Sequence, residues 1–134
     1  MTVAIDASAL LALLFAEPGA ELVADAIAGG AVTSAVNLSE VATVLVRHEQ
    51  DPATILGPVR EQLAVEPFTD ADAMVAAALY PKTTNKGLSL GDRSCLALAR
   101  RLGVPALTAE RVWAELDLDI DVQLIRGSTA DGEV

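Results

Sequence analysis

The sequence has few of the residues on which disulfide frameworks, zinc sites and base stacking depend. Cys95 is the only cysteine and His48 the only histidine among 134 residues. This excludes an internal disulfide and a multi-cysteine zinc site, and it gives a Ser-His-Asp triad no support. Aromatic residues make up 3% of the chain, so recognition of bases by stacking has little to work with. The glycine motifs of P-loops and dinucleotide-binding sites are also absent.

No apolar run is long enough to cross a membrane. The longest, at 7–16, is interrupted by Ser8 and followed by Glu17, whereas a spanning helix needs about 20 residues. The N-terminal segment has no Lys or Arg before Arg47 and carries Asp6 ahead of its apolar run, which is unlike a secretory signal peptide. A single free cysteine also suits a reducing compartment. We therefore expect a cytoplasmic protein that makes no membrane contact.

Positive charge is scarce. Nine Lys and Arg residues stand against 19 Asp and Glu residues, which gives a net charge of −10. A chain this acidic does not bind nucleic acid through its whole surface. At 52% hydrophobic residues it is too apolar for a disordered chain, and its length fits one domain. The acidity either keeps the domain soluble or is concentrated in a functional site, so the positions of the carboxylates matter.

Short β-capable runs alternate with helical segments along the chain. Strands are predicted at 2–5, 31–33, 65–68, 105–108 and 120–125. Helices are predicted at 9–16, around 22–27, from 34 or 37 to about 50, and at 52–63, 70–79, 89–102 and 110–116, with a polar loop at 81–87. Ser8 is predicted to cap the first helix, and Ser34 or Asn37 the third. This alternation predicts a three-layer α/β/α sandwich with a parallel five-stranded sheet over residues 1–126, followed by a flexible tail at 127–134.

Four acidic residues lie at the ends of predicted elements. Asp6 and Glu110 follow strands, at the edge of a parallel sheet where ligands bind. Asp92 lies in the first turn of its helix, on the face of the apolar stripe, and Glu40 lies opposite its own helix's stripe, on the same face as Arg47. Each acid alone has an ordinary explanation as a turn residue, a helix-dipole partner or a surface charge. Their joint placement favours a common cleft.

A cluster of carboxylates is chemically suited to a hard cation. Two carboxylates about 4 Å apart repel each other by about 4 kcal/mol at an effective dielectric constant of about 20, so a cluster stays ionised when a cation occupies it. Oxygen ligands select Mg²⁺ or Mn²⁺, and water bound to such an ion attacks a phosphodiester more readily. The ion also makes an acidic pocket attractive to phosphate. The acids therefore indicate a metal-dependent nuclease.

Four segments around these acids form a recognisable pattern: 3–10 (VAIDASAL), 33–41 (TSAVNLSEV), 88–99 (LSLGDRSCLALA) and 106–113 (ALTAERVW). In them the chain resembles a PIN domain, and more narrowly the VapC-type ribonuclease toxins of toxin–antitoxin pairs. The resemblance implies a parallel five-stranded α/β/α sandwich and Mg²⁺- or Mn²⁺-dependent endoribonuclease activity on RNA. It also implies inhibition by a cognate VapB-like antitoxin, and an acidic toxin would suit a basic partner peptide.

The same resemblance implies roles for individual residues. The family's metal-binding and catalytic acids match Asp6, Glu40 and Asp92 directly. The fourth acid of the family is usually Asp, whereas this chain has Glu110, which is one methylene longer and leaves open whether one or two ions bind. Ser8 and Thr108 resemble the hydroxyl residues that support such sites, and helix capping is their alternative role.

Basic residues near these acids are candidates for contact with RNA. Arg47 shares the helix face of Glu40, Lys82 and Lys86 lie in the polar loop, and Arg93 follows at the start of the last long helix. Ordinary solvated surface charge is the alternative for all four. An apolar, helix-rich chain of this size is also expected to form a homodimer.

Two other functions are compatible with the sequence. A catalytically impaired PIN domain would act as an antitoxin- or RNA-binding module, and Glu110 leaves this open. A receiver-like or phosphatase protein would use Asp6 as phospho-acceptor, but this is disfavoured because the following Ala7 and Ser8 do not supply the second nearby acid that such chemistry uses. The sequence does not specify which RNA is cut.

Overall fold

Five parallel strands form the centre of the molecule in the computed structural model, which describes residues 2–127. The strands are β1 (Ala4–Ile5), β2 (Val32–Ser34), β3 (Ala64–Glu66), β4 (Ala106–Thr108) and β5 (Val122–Leu124). Their order is β3-β2-β1-β4-β5, and every neighbouring pair is parallel. The predicted fold class is confirmed. The predicted flexible tail lies outside the described residues, except for Gly127.

Helices connect successive strands, as parallel pairing requires. Within residues 2–127 they are α1 (Ala7–Leu14), α2 (Ala20–Ala28), α3 (Ala35–Arg47), α4 (Pro52–Arg60), α5 (Asp70–Ala78), α6 (Tyr80–Thr83) and α7 (Leu90–Leu102), with 3₁₀ turns at Thr84–Lys86 and Arg111–Glu115. None of the helices in the described part of the chain has the length and hydropathy that a bilayer span requires.

The core consists of two apolar clusters, one on each face of the sheet. Ile5 belongs to the cluster beneath α1 to α4, and its neighbour Ala4 belongs to the cluster beneath α7. Both residues are fully buried, because successive side chains of a strand point to opposite faces and both faces are covered. The helices on each face therefore begin close to the carboxyl ends of the central strands, which is where the predicted site residues lie.

The segment 81–87, which was predicted as a polar loop, is largely helical. Helix α6 and the following 3₁₀ turn cover residues 80–86. Thr83 is fully buried, and its hydroxyl donates a hydrogen bond to the carbonyl oxygen of Leu79 at 2.9 Å. The loop prediction was wrong because a polar side chain that bonds the preceding turn is compatible with helix.

Helix α7 is enclosed on more sides than its sequence indicates. Residues 94–99 are all buried. Helical periodicity places Arg93 and Ser94 away from the apolar stripe of Asp92 and so predicts that they face solvent, but Ser94 is fully buried and the Nη1 of Arg93 donates to the carbonyl oxygen of Ala76 at 2.9 Å. The reason is that α5 packs over this side of α7, a contact that helical periodicity within α7 cannot reveal.

Candidate active site

Asp6 is fixed at the junction of β1 and α1. Its Oδ1 accepts a hydrogen bond from the backbone N–H of Ala9 at 2.9 Å, so Asp6 is the N-cap of α1. The prediction of Ser8 as N-cap was wrong, because an aspartate that ends a strand already satisfies the free amide of the first turn. Ser8 lies inside that turn, and its hydroxyl is shared between the two oxygens of Asp6, at 2.8 and 2.9 Å.

Thr108 joins the end of β4 to the same carboxylate. Its hydroxyl donates to Oδ2 of Asp6 at 2.6 Å and accepts from the backbone N–H of Glu110 at 3.0 Å. The hydroxyl of Ser8 accepts from the N–H of Ala109 at 2.9 Å and lies 3.2 Å from that of Thr108. Both hydroxyls thus contact Asp6, and neither is the cap of a helix.

The burial of Asp6 sets its protonation behaviour. The side chain is 1% exposed. Burial raises its pKa from 3.8 to about 7, the hydrogen bonds from Thr108, Ala9 and Ser8 oppose this, and the charge of Asp92 raises the pKa further. At neutral pH Asp6 is therefore balanced between the protonated and ionised forms, and a positive charge nearby would favour the ionised form.

Glu40 lies in the second turn of α3, on a helix that follows β2 directly. Ser34, one of the two predicted caps, is the N-cap, because its hydroxyl accepts from the backbone N–H of Asn37 at 3.0 Å. The side-chain amide of Asn37 donates to Oε1 of Glu40 at 2.9 Å. Burial raises the pKa of Glu40, the hydrogen bond from Asn37 lowers it, and the charge of Asp92 raises it.

Asp92 begins α7 as part of a capping box. Its Oδ2 accepts from the backbone N–H of Ser89 at 2.9 Å, and its own N–H donates to the hydroxyl of Ser89 at 3.2 Å. Such reciprocal bonds satisfy two amides at a helix start. The ordinary capping role of Asp92 is therefore real, and it coexists with the effect of its charge on Asp6 and Glu40.

The buried thiol of Cys95, on α7, is affected by the charges of all three acids. Cys95 is fully buried, with Sγ 3.7 Å from the carbonyl oxygen of Ala4. Burial raises the pKa of the Cys95 thiol well above its usual value, and the charges of Asp6, Asp92 and Glu40 raise it further, in that order. All three carboxylates therefore lie within electrostatic range of the same thiol, although they come from elements far apart in the chain.

The carboxylates are near one another but are not oriented toward one shared point. No group of three or more Asp, Glu, His or Cys side chains among residues 2–127 is placed to hold a metal ion. Asp6 is turned to its hydroxyls, Glu40 to Asn37, and Asp92 to the amide of Ser89. The donor set consists of oxygen atoms, which fits Mg²⁺ or Mn²⁺ chemically.

Glu110 is attached to this network through its backbone. Its N–H donates to the hydroxyl of Thr108 at 3.0 Å, and the residue is exposed at the start of the 3₁₀ turn Arg111–Glu115. The role of its carboxylate as a fourth acid stays a prediction.

A cleft of about 620 Å³ opens beside Glu40. It is lined along α3 by Ala35, Val36, Ser39, Glu40, Thr43, Val44 and Arg47. Glu40 and Arg47 therefore lie on one face of the helix, as their spacing predicts. The cleft has the carboxylate of Glu40 at one end and the guanidinium group of Arg47 about two helical turns further along, and a guanidinium group attracts anions.

The other predicted RNA-contact residues have different surroundings. The Nζ of Lys86 forms an ion pair with Glu115 at 3.0 Å. Arg93 donates to a backbone carbonyl, and its guanidinium group lies 5.4 Å from the ring centre of Tyr80. Lys82 is exposed on α6. Of the four candidates, Arg47 is the one that lines the cleft.

Two residues that shape the site were not recognised from the sequence. Asn37 was considered only as a helix cap, and Gly91 was not considered, yet both contact Glu40. One available signal is a glycine within the first turn of a helix, where it lowers helix stability. The other is a buried Asn side chain, since buried amides require hydrogen-bond partners.

A comparison with protein-family models gives a match to the PIN domain over residues 3–118. The chain belongs to the PIN domain family. A comparison with curated proteins gave no match.

Solved structures similar to this PIN domain include three from toxin–antitoxin systems. A toxin–antitoxin complex from Klebsiella pneumoniae has a TM-score of 0.74 at 18% identity, covering 92% of this chain and 98% of that one. VapBC2 from Rickettsia felis, bound to a promoter DNA fragment, has a TM-score of 0.73 at 12% identity, and the match covers 92% of this chain and 98% of that one. VapC20 from Mycobacterium tuberculosis, a toxin that cleaves the sarcin-ricin loop, has a TM-score of 0.69 at 20% identity, and the match covers 84% of this chain and 93% of that one. At these identities the likeness establishes the fold.

Proposed function

We propose that this PIN domain is a Mg²⁺- or Mn²⁺-dependent endoribonuclease and the toxin of a toxin–antitoxin pair. The observation that carries the proposal is that Asp6 directly follows β1 while Glu40 and Asp92 lie in the first two turns of α3 and α7, with the Glu40 carboxylate packed against Gly91, the residue before Asp92. Membership of the PIN family and the fold shared with VapC toxins support it. Carboxyl groups whose pKa is raised by burial and by a neighbouring charge, as for Asp6 and Glu40, are typical of sites that bind a cation or transfer protons.

In the proposed reaction, Asp6, Glu40 and Asp92 hold the ion. When bound, the ion supplies an activated water for attack on the phosphodiester and neutralises charge on the phosphate. The hydroxyls of Ser8 and Thr108 would fix the position of the Asp6 carboxylate, because both donate hydrogen bonds to it. We retain Glu110 as a fourth acid, and a metal titration that gives one or two ions per chain decides its role.

The cleft along α3 is the proposed path of the RNA. Arg47 would contact a backbone phosphate, because a guanidinium group binds phosphate with paired hydrogen bonds. Lys82, Lys86 and Arg93 are weaker candidates, since the structure gives Lys86 and Arg93 partners within the protein. We propose that cleavage of such an RNA takes place in the cytoplasm.

The proposed partner is a VapB-like antitoxin with a basic segment. The chain has a net charge of −10, and the carboxylate of Glu40 lines the cleft along α3. Opposite charge accelerates association and suppresses wrong partners. A homodimer also remains a prediction, for which the molar mass in solution by light scattering is the test.

The decisive experiment measures RNA cleavage by the purified protein with Mn²⁺, with Mg²⁺ and with a chelator. We expect cleavage only with metal, and loss of cleavage in Asp6→Asn and Asp92→Asn. Asp70→Asn is the matched control, because it removes one negative charge from an exposed first-turn position on α5. Cleavage by Asp6→Asn at the rate of the control would overturn the proposal.

A binding module without catalysis is the second candidate. It is favoured by the finding that no three acids within residues 2–127 are placed to share an ion, and by Glu110 in place of the usual Asp. This function predicts tight binding of a basic antitoxin peptide with no metal-dependent turnover, and Glu110→Asp would then restore cleavage. PIN family membership sets aside the receiver-like alternative.

A further inference from the structure

The side-chain amide of Asn37 is buried, and its oxygen and both of its N–H groups have hydrogen-bond partners. The residue is 1% exposed. Its Oδ1 accepts from the hydroxyl of Ser34 at 2.8 Å, and its Nδ2 donates to the carbonyl oxygen of Gly91 at 3.0 Å and to Oε1 of Glu40 at 2.9 Å. An amide nitrogen has two donor hydrogens. Because Ser34 and Gly91 fix the plane of the amide, its remaining N–H is directed at Glu40.

Gly91 provides the space that the Glu40 carboxylate occupies. A Cβ atom built on Gly91 would overlap all three atoms of that carboxylate. Gly91 is not among the glycines with positive φ, so its backbone does not require glycine. Glycine in a helix is unfavourable compared with alanine. The lack of a side chain at this position is therefore explained by Glu40 and not by the conformation of α7.

The two contacts connect the starts of two acid-bearing helices. The bond from Asn37 to Gly91 joins α3 to α7 across 54 residues of sequence, next to Asp92. With Oε1 of Glu40 held by Asn37, Oε2 has no hydrogen-bond donor among the described residues. One carboxylate oxygen is thus anchored by Asn37, and the other lies against Gly91, the residue before Asp92.

We propose that Asn37 is a positioning residue, which together with Gly91 holds the Glu40 carboxylate in place for metal binding. This inference rests on the proposed function, because it assumes that Glu40 is a metal ligand. Side chains that orient metal ligands contribute about 10- to 100-fold to metal affinity or activity. The structure assigns that contribution to Asn37 and Gly91, neither of which touches the ion itself.

The test uses two variants that disturb Glu40 by different routes. Asn37→Leu has a similar shape and removes the donor, whereas Gly91→Ala keeps Asn37 and fills the space, on a backbone that favours alanine. Thr83→Val is the matched control, because it removes another buried hydrogen bond, which the Thr83 hydroxyl donates to the carbonyl oxygen of Leu79, the C-cap of α5. We expect both site variants to bind Mn²⁺ at least about tenfold more weakly by EPR titration, with the control unchanged and Gly91→Ala unfolding in urea no earlier than wild type.

A second measurement needs no metal. In the metal-free protein, the side-chain amide signals of Asn37, assigned by their loss in Asn37→Leu, should exchange slowly with solvent and shift in Glu40→Gln and Gly91→Ala. Wild-type Mn²⁺ affinity in both site variants overturns the inference while leaving the proposed function intact. If the wild-type protein binds no Mn²⁺, the proposed function fails, and the NMR result alone decides whether Asn37 anchors Glu40: a shift supports it and an unchanged signal overturns it.

Discussion

Replacing Asp6 by asparagine should abolish cleavage and, at the same time, stabilise the metal-free protein above neutral pH. The pKa of Asp6 is raised from 3.8 to about 7, chiefly by burial. At 1.36 kcal/mol per pKa unit, ionising this side chain in the folded protein costs about 4 kcal/mol. Asparagine keeps an oxygen that can accept from the N–H of Ala9, but its amide group faces the hydroxyls of Ser8 and Thr108. These hydroxyls must rotate to accept hydrogen bonds from that amide, which offsets part of the gain. We therefore expect the free energy of unfolding to rise by a net amount of about 1 to 3 kcal/mol.

The sign of the pH dependence follows from the direction of the shift. An acid whose pKa is raised by folding binds its proton more tightly in the folded state than in the unfolded state. The contribution of Asp6 therefore favours folding at low pH and is lost as the pH rises from about 4 to about 7. Above that range the contribution is constant. Asp6→Asn should remove the part of the pH dependence of the unfolding free energy that comes from Asp6.

The assay is urea unfolding in the presence of a chelator, followed by the fluorescence of Trp113, which is buried and is the single tryptophan. Wild type, Asp6→Asn and the charge control Asp70→Asn are compared between about pH 5 and pH 8. Two results would contradict this prediction. One is a lower stability of Asp6→Asn than of wild type at about pH 8, and the other is a stability difference between the two proteins that does not grow with pH.

Three further predictions concern the cleft, an ion pair and the buried thiol. Arg47→Gln should raise KM for RNA by about tenfold with little change in kcat and should flatten the salt dependence, whereas Arg60→Gln, outside that cleft, should do neither. Asp72→Asn should lower stability by about 1 to 3 kcal/mol, because Asp72 is 2% exposed and bonded to Arg101 at 2.9 Å. That pairing lowers the pKa of Asp72, so the stabilisation is present at neutral pH and is lost in acid; a wild-type acid unfolding curve for the variant would contradict this. Cys95 should resist alkylation in the folded protein at about pH 8 and react fully in denaturant, since burial raises its pKa.

The placement of the acids could be predicted because it depends on local rules. Asp6 follows a short apolar run and precedes a helix, and the carboxyl ends of parallel strands all lie at one edge of a sheet. The same rule brings the helix that follows β2, with Glu40, to that edge. The position of Asp92 in a first turn follows from Ser89 three residues earlier, which is a capping-box signature. Each of these steps needs only neighbouring residues.

The orientation of the side chains could not be predicted, because it depends on contacts between distant segments. The bond from Asn37 to Gly91 spans 54 residues, and no periodicity within α3 signals it. Arg93 was expected to face solvent, and only the packing of α5 on α7 explains its bond to Ala76. The turning of each carboxylate toward its own donors likewise belongs to tertiary structure.

Asp6 is the N-cap of α1, and Asp92 completes the capping box of α7 by accepting from the N–H of Ser89. An alanine at Asp6 removes the helix cap together with the acid, at a cost of about 0.5 to 2 kcal/mol, and an alanine at Asp92 removes one of the two bonds of the capping box. In a growth assay, a strain that survives because the alanine variant is degraded looks the same as one that survives because the variant is inactive. Asparagine retains an acceptor for the first turn, so the abundance of an asparagine variant in the cell separates a failure of folding from a failure of chemistry.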